Sequence, residues 1–459
     1  MKVEDIKSVY FIGAGGIGMS ALVRYFLLKK IAVAGYDRKA TPLTDAMLKE
    51  GADLHFEDNP DLIPEAFRDK ETTLVVYTPA IPKDHKELNY FRERDFEIKK
   101  RAQVLGILTQ SMKGLCVAGT HGKTTTTTMI AHLLMQTPKK CNAFMGGISK
   151  NYGTNYLFSD ESDYVVVEAD EFDRSFHWLS PYISVVTATD PDHLDIYGTY
   201  DAYLESFREY SHLIQPGGTL IVHTGLAFRP NLQAGVKQLS YSLTTGDFHA
   251  DNIRMGGGEI TFDFISIFGN IEGIRLGVPV EVNIENGIAA MAVAQLCGAT
   301  DDMIRKGMET FKGVDRRFDI RIKSDKLVLL SDYAHHPEEV RRCAESLRGV
   351  FNGRKITAIF QPHLYTRTRD LYKDFARSLS VFDEVILTEI YPAREEPIPG
   401  VTSEIIYDNM RPDMEKQIID SADILTFVEK HDFDVLVILG AGNLDDKVPQ
   451  IAEILKHRM

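Results

Sequence analysis

Residues 119–125 read Gly-Thr-His-Gly-Lys-Thr-Thr and follow the apolar run Leu115-Cys-Val-Ala118. Gly119 and Gly122 free the backbone to cradle phosphates. Lys123 can reach β- and γ-phosphates, and the Thr124 hydroxyl can bind Mg2+. Thr120, His121 and Thr125 complete the loop. The first glycine of a full Walker loop is missing, since Val117 stands there. A bare helix start with an incidental lysine is the alternative. It is the poorer one, because such a lysine faces the positive end of a helix dipole unless an anion accompanies it. The loop therefore predicts an ATP-using enzyme.

Gly13-Ala14-Gly15-Gly16-Ile17-Gly18 follows another apolar run and fits the G-x-G-x-x-G pattern of a diphosphate cradle. Asp37 ends the next run, about where a ribose-binding acid belongs. Taken alone this pair suggests NAD. Glu168-Ala-Asp-Glu171 and Asp190-Pro-Asp-His-Leu-Asp195 also end apolar runs. Hard oxygen ligands suit Mg2+, which takes one or two carboxylates with phosphate oxygens and waters. Glu168 is the first choice as ligand and His193 the second, although solvated loop acids would look the same.

Asn283 and Asn286 open an alanine-rich helix, where they either cap it or read an adenine edge. Spacing alone favours the cap. Arg316 and Arg317, in Gly313-Val-Asp-Arg-Arg-Phe318, suit either a phosphoryl clamp or an interdomain salt bridge. Asp332-Tyr333-Ala-His335-His-Pro337 and Gln361-Pro-His363-Leu-Tyr-Thr-Arg367-Thr-Arg369 follow two further apolar runs. Their His and Arg residues can hold a carboxylate or serve structure alone.

The elements that must position these groups are short, β-branched and nearly continuous in apolar character. Val9–Ile12, Leu74–Tyr77, Tyr164–Val167, Ile183–Val186, Ile356–Ile359 and Val435–Leu439 are examples. Such runs suit parallel strands covered on both faces, and helical patterns such as 338–350 separate many of them. The alternation predicts an α/β protein, whose ligands bind beyond the carboxyl ends of the strands. The polar motifs all fall there. At about 100–200 residues per domain, 459 residues make two to four domains. The expected division is 1–112, 113–314 and 315–459. Residues 246–283, with Gly-rich turns between short alternating runs, suggest an antiparallel appendage to the second domain.

The formal charge of −14 argues against a general binder of nucleic acid or membrane surface. No apolar run reaches membrane-spanning length, and Met1–Ile6 lacks a signal-peptide pattern. Cys116, Cys141, Cys297 and Cys343 show neither zinc-like spacing nor a disulfide framework. A reducing cytoplasm is the natural expectation.

In this order, together with Tyr391-Pro-Ala393, the motifs resemble the Mur ligase family over essentially the whole chain, and within it the alanine-adding members. The resemblance implies three domains: Rossmann-like, P-loop ATPase-like with the antiparallel appendage, and Rossmann-like again. It implies ATP-dependent joining of L-alanine to the lactyl carboxylate of UDP-N-acetylmuramate through an acyl phosphate, by a monomer or homodimer. Gly13–Gly18 would then hold the UDP sugar in place of NAD. Gly119–Thr125, with Lys123 and Thr124, would hold ATP phosphates and Mg2+, and Glu168 and His193 a second Mg2+. Asn283 and Asn286 would approach the adenine, Asp332 and Tyr333 the ribose or base, and Arg317 the γ-phosphate. His335, His363 and Arg367 would lie near the incoming alanine.

Two positions depart from the family pattern. Leu364 stands where many relatives have Arg, which shifts the alanine carboxylate onto Arg367. Phe207 stands where members adding later amino acids carry a carbamylated lysine, which favours the alanine-adding branch. A tripeptide-recycling ligase of the same sugar is the nearest alternative. A nicotinamide dehydrogenase is the more distant one, and it leaves the Lys123 loop and the acidic cluster unexplained.

Overall fold

The structure is a computed structural model that describes residues 6–78, 81–256, 259–393 and 395–458. Most of the amino-terminal segment read above lies outside them. Three sheets carry the chain. The first comprises β1 (Ser8–Ile12), β2 (Ala32–Tyr36), β3 (Asp53–His55), β4 (Thr73–Tyr77) and β5 (Glu97–Lys100), in the order β3-β2-β1-β4-β5. All its pairings are parallel. The order reverses between β1 and β4, and at such a switch point the following loops diverge to leave a crevice. Gly13–Gly18 emerges there.

The second sheet comprises β6 (Lys113–Ala118), β7 (Asn142–Ser149), β8 (Thr154–Leu157), β9 (Tyr164–Glu168), β10 (Ile183–Val186), β11 (Thr219–His223), β12 (Lys237–Tyr241), β13 (Phe248–Gly256), β14 (Glu259–Ser266) and β15 (Ile271–Arg275). Its order is β15-β14-β13-β12-β11-β10-β6-β9-β7-β8. β6 lies between β9 and β10, parallel to both. The last three strands are the expected appendage. Its first strand joins β12 in parallel, through Tyr241 and Phe248.

The third sheet comprises β16 (Asp319–Lys323), β17 (Val328–Asp332), β18 (Ile356–Phe360), β19 (Glu384–Leu387), β20 (Glu415–Ile418) and β21 (Val435–Leu439), in the order β16-β17-β21-β18-β19-β20. Only β16 pairs antiparallel. The central strands are buried along nearly their whole length. Val9, Phe11, Val165, Val167, Leu329 and Ile359 have no solvent exposure. Each aliphatic side chain so buried contributes about 1.5–3 kcal/mol.

By contact density the chain forms two compact units. One holds residues Met1–Asp251, Asp263–Ile274 and Glu285–Phe311. The other holds Asn252–Phe262, Arg275–Ile284 and Lys312–Met459. The four cysteines are free, with Cys116, Cys141 and Cys343 buried, as small apolar residues would be. Among the described residues no helix is long and apolar enough to cross a membrane.

Candidate active site

In the first unit the phosphate loop leaves β6 at Ala118 and enters the helix Lys123–Leu134. Gly119 has φ +130°, and a Cβ on it would lie 2.2 Å from Thr187 Oγ1 and 2.7 Å from the Ala188 nitrogen. Only glycine satisfies both the backbone and the space. Thr187 Oγ1 donates to the His121 carbonyl at 2.5 Å. Thr120 Oγ1 donates to the Asp190 carbonyl at 2.8 Å and meets Tyr203 Oη at 2.9 Å. His121 Nε2 lies 3.6 Å from Asp190 Oδ2. The residues after β10 thus fix the shape of the loop after β6. Thr125 follows on the first helical turn, whose amides have no intrahelical acceptor and suit an anion.

Lys123 Nζ donates to the Gly119 carbonyl and to Glu171 Oε1, each at 2.8 Å. Burial disfavours its charge, but Glu171, Asp170 and Glu168 outweigh burial and hold the ammonium protonated above its usual range. The lysine's partner is a fully buried glutamate, whose carboxyl burial raises above its usual range against the pull of Lys123. Thr124 Oγ1 donates to Glu168 Oε1 at 3.1 Å. Val117 pairs with Glu168 across β6 and β9, and this register places the carboxylate at the mouth of the loop. A Cβ on Gly146 of β7 would come within 2.2 Å of Glu168 Oε2, so the glycine keeps room for that carboxylate.

A hydroxyl and a carboxylate this close form a hard-oxygen pair that fits Mg2+. His193, at φ +52°, sits 3.6 Å from Asp192 Oδ2 and packs against the Phe172 ring. No group of three or more His, Cys, Asp or Glu suited to a metal converges among the described residues. Mg2+ does not require one, because phosphates and waters complete its shell.

The glycine loop after β1 faces the same region. Gly16 caps the helix Ile17–Leu28 without a side-chain hydrogen bond, and the first turn of that helix lines a cavity. Gly13 has φ +86° and Ala14 is buried. Asp37 Oδ2 accepts from the Gly15 nitrogen at 2.6 Å. The acid expected to hold a ribose here braces the loop's own backbone. A cavity of ≈ 220 Å³ is lined by Gly16, Ile17, Gly18, Arg101, Gly146 and Glu168, among others. It joins the glycine loop to the carboxylate beside Thr124. Asn286 Oδ1 accepts from Thr126 Oγ1 at 3.2 Å, so this asparagine braces the phosphate-loop helix as well as opening its own.

In the second unit, Asn283 Nδ2 donates to the Val278 carbonyl at 3.2 Å. Asp332 ends β17 and accepts from the Phe318 and Ala334 nitrogens at 2.6 and 2.8 Å. Burial pushes its carboxyl up to about 6, against the opposing pull of Arg317 and those two amides. The Arg316 and Arg317 guanidinium carbons lie 4.9 and 5.0 Å from the centre of the Tyr333 ring. Arg316 is also tied to Asp445 at 3.0 Å and to the Gly442 carbonyl at 3.1 Å. It serves structure, which leaves Arg317 as the candidate for chemistry.

His335 Nδ1 is 2.9 Å from the Tyr333 carbonyl and 3.2 Å from Glu339 Oε2. Its ring centre is 6.0 Å from that of His363, which stacks on Tyr391 at 5.7 Å. Arg367 Nη1 is 3.5 Å from His363 Nδ1. Burial, then the neighbouring His335 and Arg367, push the His363 imidazole down to about 4. The fold therefore gathers His335, His363 and Arg367 into one cluster with Tyr391.

Models of the three Mur ligase domains match the chain in order. The family's catalytic-domain model covers residues 8–113, its middle-domain model 117–294, and its glutamate-ligase-domain model 316–442. The chain is 65% identical to the UDP-N-acetylmuramate–L-alanine ligase of Phocaeicola vulgatus over 100% of both chains. It is 56% identical to that of Parabacteroides distasonis over 99% of this chain and 98% of the other. The chain belongs to the Mur ligase family. The solved UDP-N-acetylmuramate–alanine ligase of Thermotoga maritima superposes with a TM-score of 0.83 at 25% identity, covering 98% of this chain and 100% of that one. A murein peptide ligase of Psychrobacter arcticus reaches 0.68 at 19% identity over 98% of each chain, a likeness of fold.

For a Mur ligase, Gly13–Gly18 no longer points to a nicotinamide. Phe207 of this ligase is buried against Phe176, Tyr203 and Phe228. A carbamylated lysine has no counterpart at that position. Sequence reasoning missed three residues of the site. Glu171 was read only as one of a run of acids, yet it is the partner of Lys123. Gly146 follows no motif. Arg101 stands at the end of Glu97-Ile-Lys-Lys100, a strand with too little apolar character to announce itself.

Proposed function

We propose that this Mur ligase joins L-alanine to the lactyl carboxylate of UDP-N-acetylmuramate, with ATP consumed to ADP and phosphate, in peptidoglycan synthesis. The observation that carries the reading is the cavity in which the Gly16–Gly18 loop and the Glu168 carboxylate beside Thr124 line one volume. A sugar nucleotide and a triphosphate meet in such an arrangement, whereas a dehydrogenase has no use for the second loop. Likeness to alanine-adding relatives over the full chain favours alanine over a tripeptide, and Phe207 in place of lysine favours it over the amino acids added later. The domains run 1–112 for the UDP sugar, 113–314 for ATP and 315–459 for the amino acid. The enzyme works in the cytoplasm.

The chemical difficulty is charge, since a carboxylate must attack a triphosphate. Amides of the helix Lys123–Leu134 and the Lys123 ammonium bind the phosphates and offset their repulsion. Lys123 is already buried and charged beside Glu171, so it meets phosphate at little further cost in desolvation. Thr124 would hold one Mg2+ and Glu168 with His193 a second, and the bound ions would neutralise phosphate charge. Gly13–Gly18 orients the sugar nucleotide, and Asn283, Asn286, Asp332 and Tyr333 serve the nucleoside of ATP. Arg317 offsets charge on the transferring phosphoryl group.

Attack yields an acyl phosphate. The neutral amine of alanine, its carboxylate held by Arg367 beside His335 and His363, then displaces phosphate. Phosphate release that requires the UDP sugar and L-alanine together is the test. Release with the recycled tripeptide in preference to alanine would move the protein to the alternative branch.

A further inference from the structure

Gly18 and Arg101 are in contact, and neither residue's presence is explained by its own element. Gly18 lies inside the helix Ile17–Leu28. Its φ is not positive, so the backbone there accepts any residue. What Gly18 makes room for is a side chain. A Cβ at this position would stand 2.9 Å from Arg101 Nη1 and 3.2 Å from its guanidinium carbon. Arg101 begins the helix Arg101–Ser111, directly after β5. Its guanidinium is thereby laid against the first turn of the glycine-loop helix, on the wall of the ≈ 220 Å³ cavity.

Among the described residues the guanidinium forms one ion pair, a long one of 3.8 Å to Asp170. That leaves a five-donor fork with capacity for an anion. Among the described residues Arg101 is also the only cation lining the cavity, whose walls include Glu168 and Asp170. A doubly charged diphosphate entering beside these carboxylates is favoured by a local cation.

The geometry points to Arg101 as the residue that holds the diphosphate of the sugar nucleotide, with Gly18 conserving space for its guanidinium. The assignment rests on the proposed ligase reading and deepens it. The last glycine of the motif usually serves close helix–strand packing. Here its role is to let the arginine that follows the fifth strand reach an anion at the helix amides. Arg101 is a binding residue, and Gly18 a positioning one.

The test uses the full-length enzyme, with direct calorimetric titration of UDP-N-acetylmuramate and of UDP, which carries the diphosphate without the lactyl carboxylate. R101Q weakens both by the same factor, about 10- to 100-fold as for a hydrogen bond to a charged group. R101K recovers part of the loss, and the KM for ATP stays unchanged. G18A keeps or raises the melting temperature, since alanine favours a helix, yet weakens both ligands as R101Q does. The double variant G18A/R101Q is no weaker than R101Q alone, because both act through one guanidinium.

Unchanged affinity in R101Q overturns the assignment. So does a loss confined to UDP-N-acetylmuramate, a wild-type protein that does not bind UDP, or losses that multiply in the double variant. Failure of the ligase reading is distinct: wild type then shows no phosphate release with UDP-N-acetylmuramate, L-alanine and ATP.

Discussion

Thr124 Oγ1 donates to Glu168 Oε1 at 3.1 Å, which joins the phosphate loop after β6 to the last residue of β9. The two residues pair because the strands are in register and because Gly146 leaves the carboxylate room. E168Q is expected to raise the Mg2+ concentration needed for half-maximal turnover by roughly tenfold or more, given what even indirect changes at metal sites cost. G146A, which leaves every proposed ligand in place, shifts the same Mg2+ titration by crowding the carboxylate. An unchanged Mg2+ curve in both variants removes Glu168 from the site.

Lys123 has two tasks that different measurements separate. K123A lowers kcat by about 10²–10³, the usual loss of roughly 3–4 kcal/mol when one charge-stabilising group leaves a dry site. It also strands Glu171, and breaking a buried pair from one side costs about 3–5 kcal/mol of stability. K123M/E171Q therefore regains most of the melting temperature without regaining turnover. A double variant that recovers both would reduce the lysine to a structural ion pair.

Arg367, beside His363 and His335, is the expected grip on the alanine carboxylate, since Leu364 offers none. R367A raises the KM for L-alanine by about 10- to 100-fold, the range for one hydrogen bond between charged groups. The KM values for ATP and UDP-N-acetylmuramate stay within about twofold. If all three constants rise together, the arginine acts on the fold.

His363 gives the stability a pH dependence of known sign. Its imidazole is pushed from 6.5 down to about 4 in the folded protein, first by burial. Between those values the unfolded chain binds more protons, so stability rises with pH through the window. The contribution is fully present above about 6.5 and is lost as pH falls towards about 4. H363Q flattens that part of the curve in urea unfolding measured from pH 4 to pH 7. Equal slopes for wild type and variant would count against a neutral buried imidazole.

Much of the site was legible before the fold because its parts are contiguous. A phosphate loop is a local object: two glycines shape the backbone, and the lysine, threonine and helix amides that follow occur in unbroken sequence. The apolar runs likewise announced most strands, since a strand covered on both faces must be apolar at every position. Strands that lie at an edge were not announced. Glu97–Lys100 and Glu415–Ile418 are polar, and each is a strand because β4 or β19 offers it a ladder of hydrogen-bonding groups.

What the amino-acid sequence by itself determined was therefore the fold class, the motifs and their place at strand ends. The tertiary structure decided which motif touches which. Lys123 meets Glu171, 48 residues away, and Thr126 meets Asn286, 160 residues away. Asp37, which has the spacing of a ribose ligand, braces Gly15. Arg101 reaches Gly18 only because β5 joins the sheet beside β4. Local chemistry follows from the order of residues along the chain. Partnership between distant side chains follows from strand register and crossover, which are settled only when the cores close.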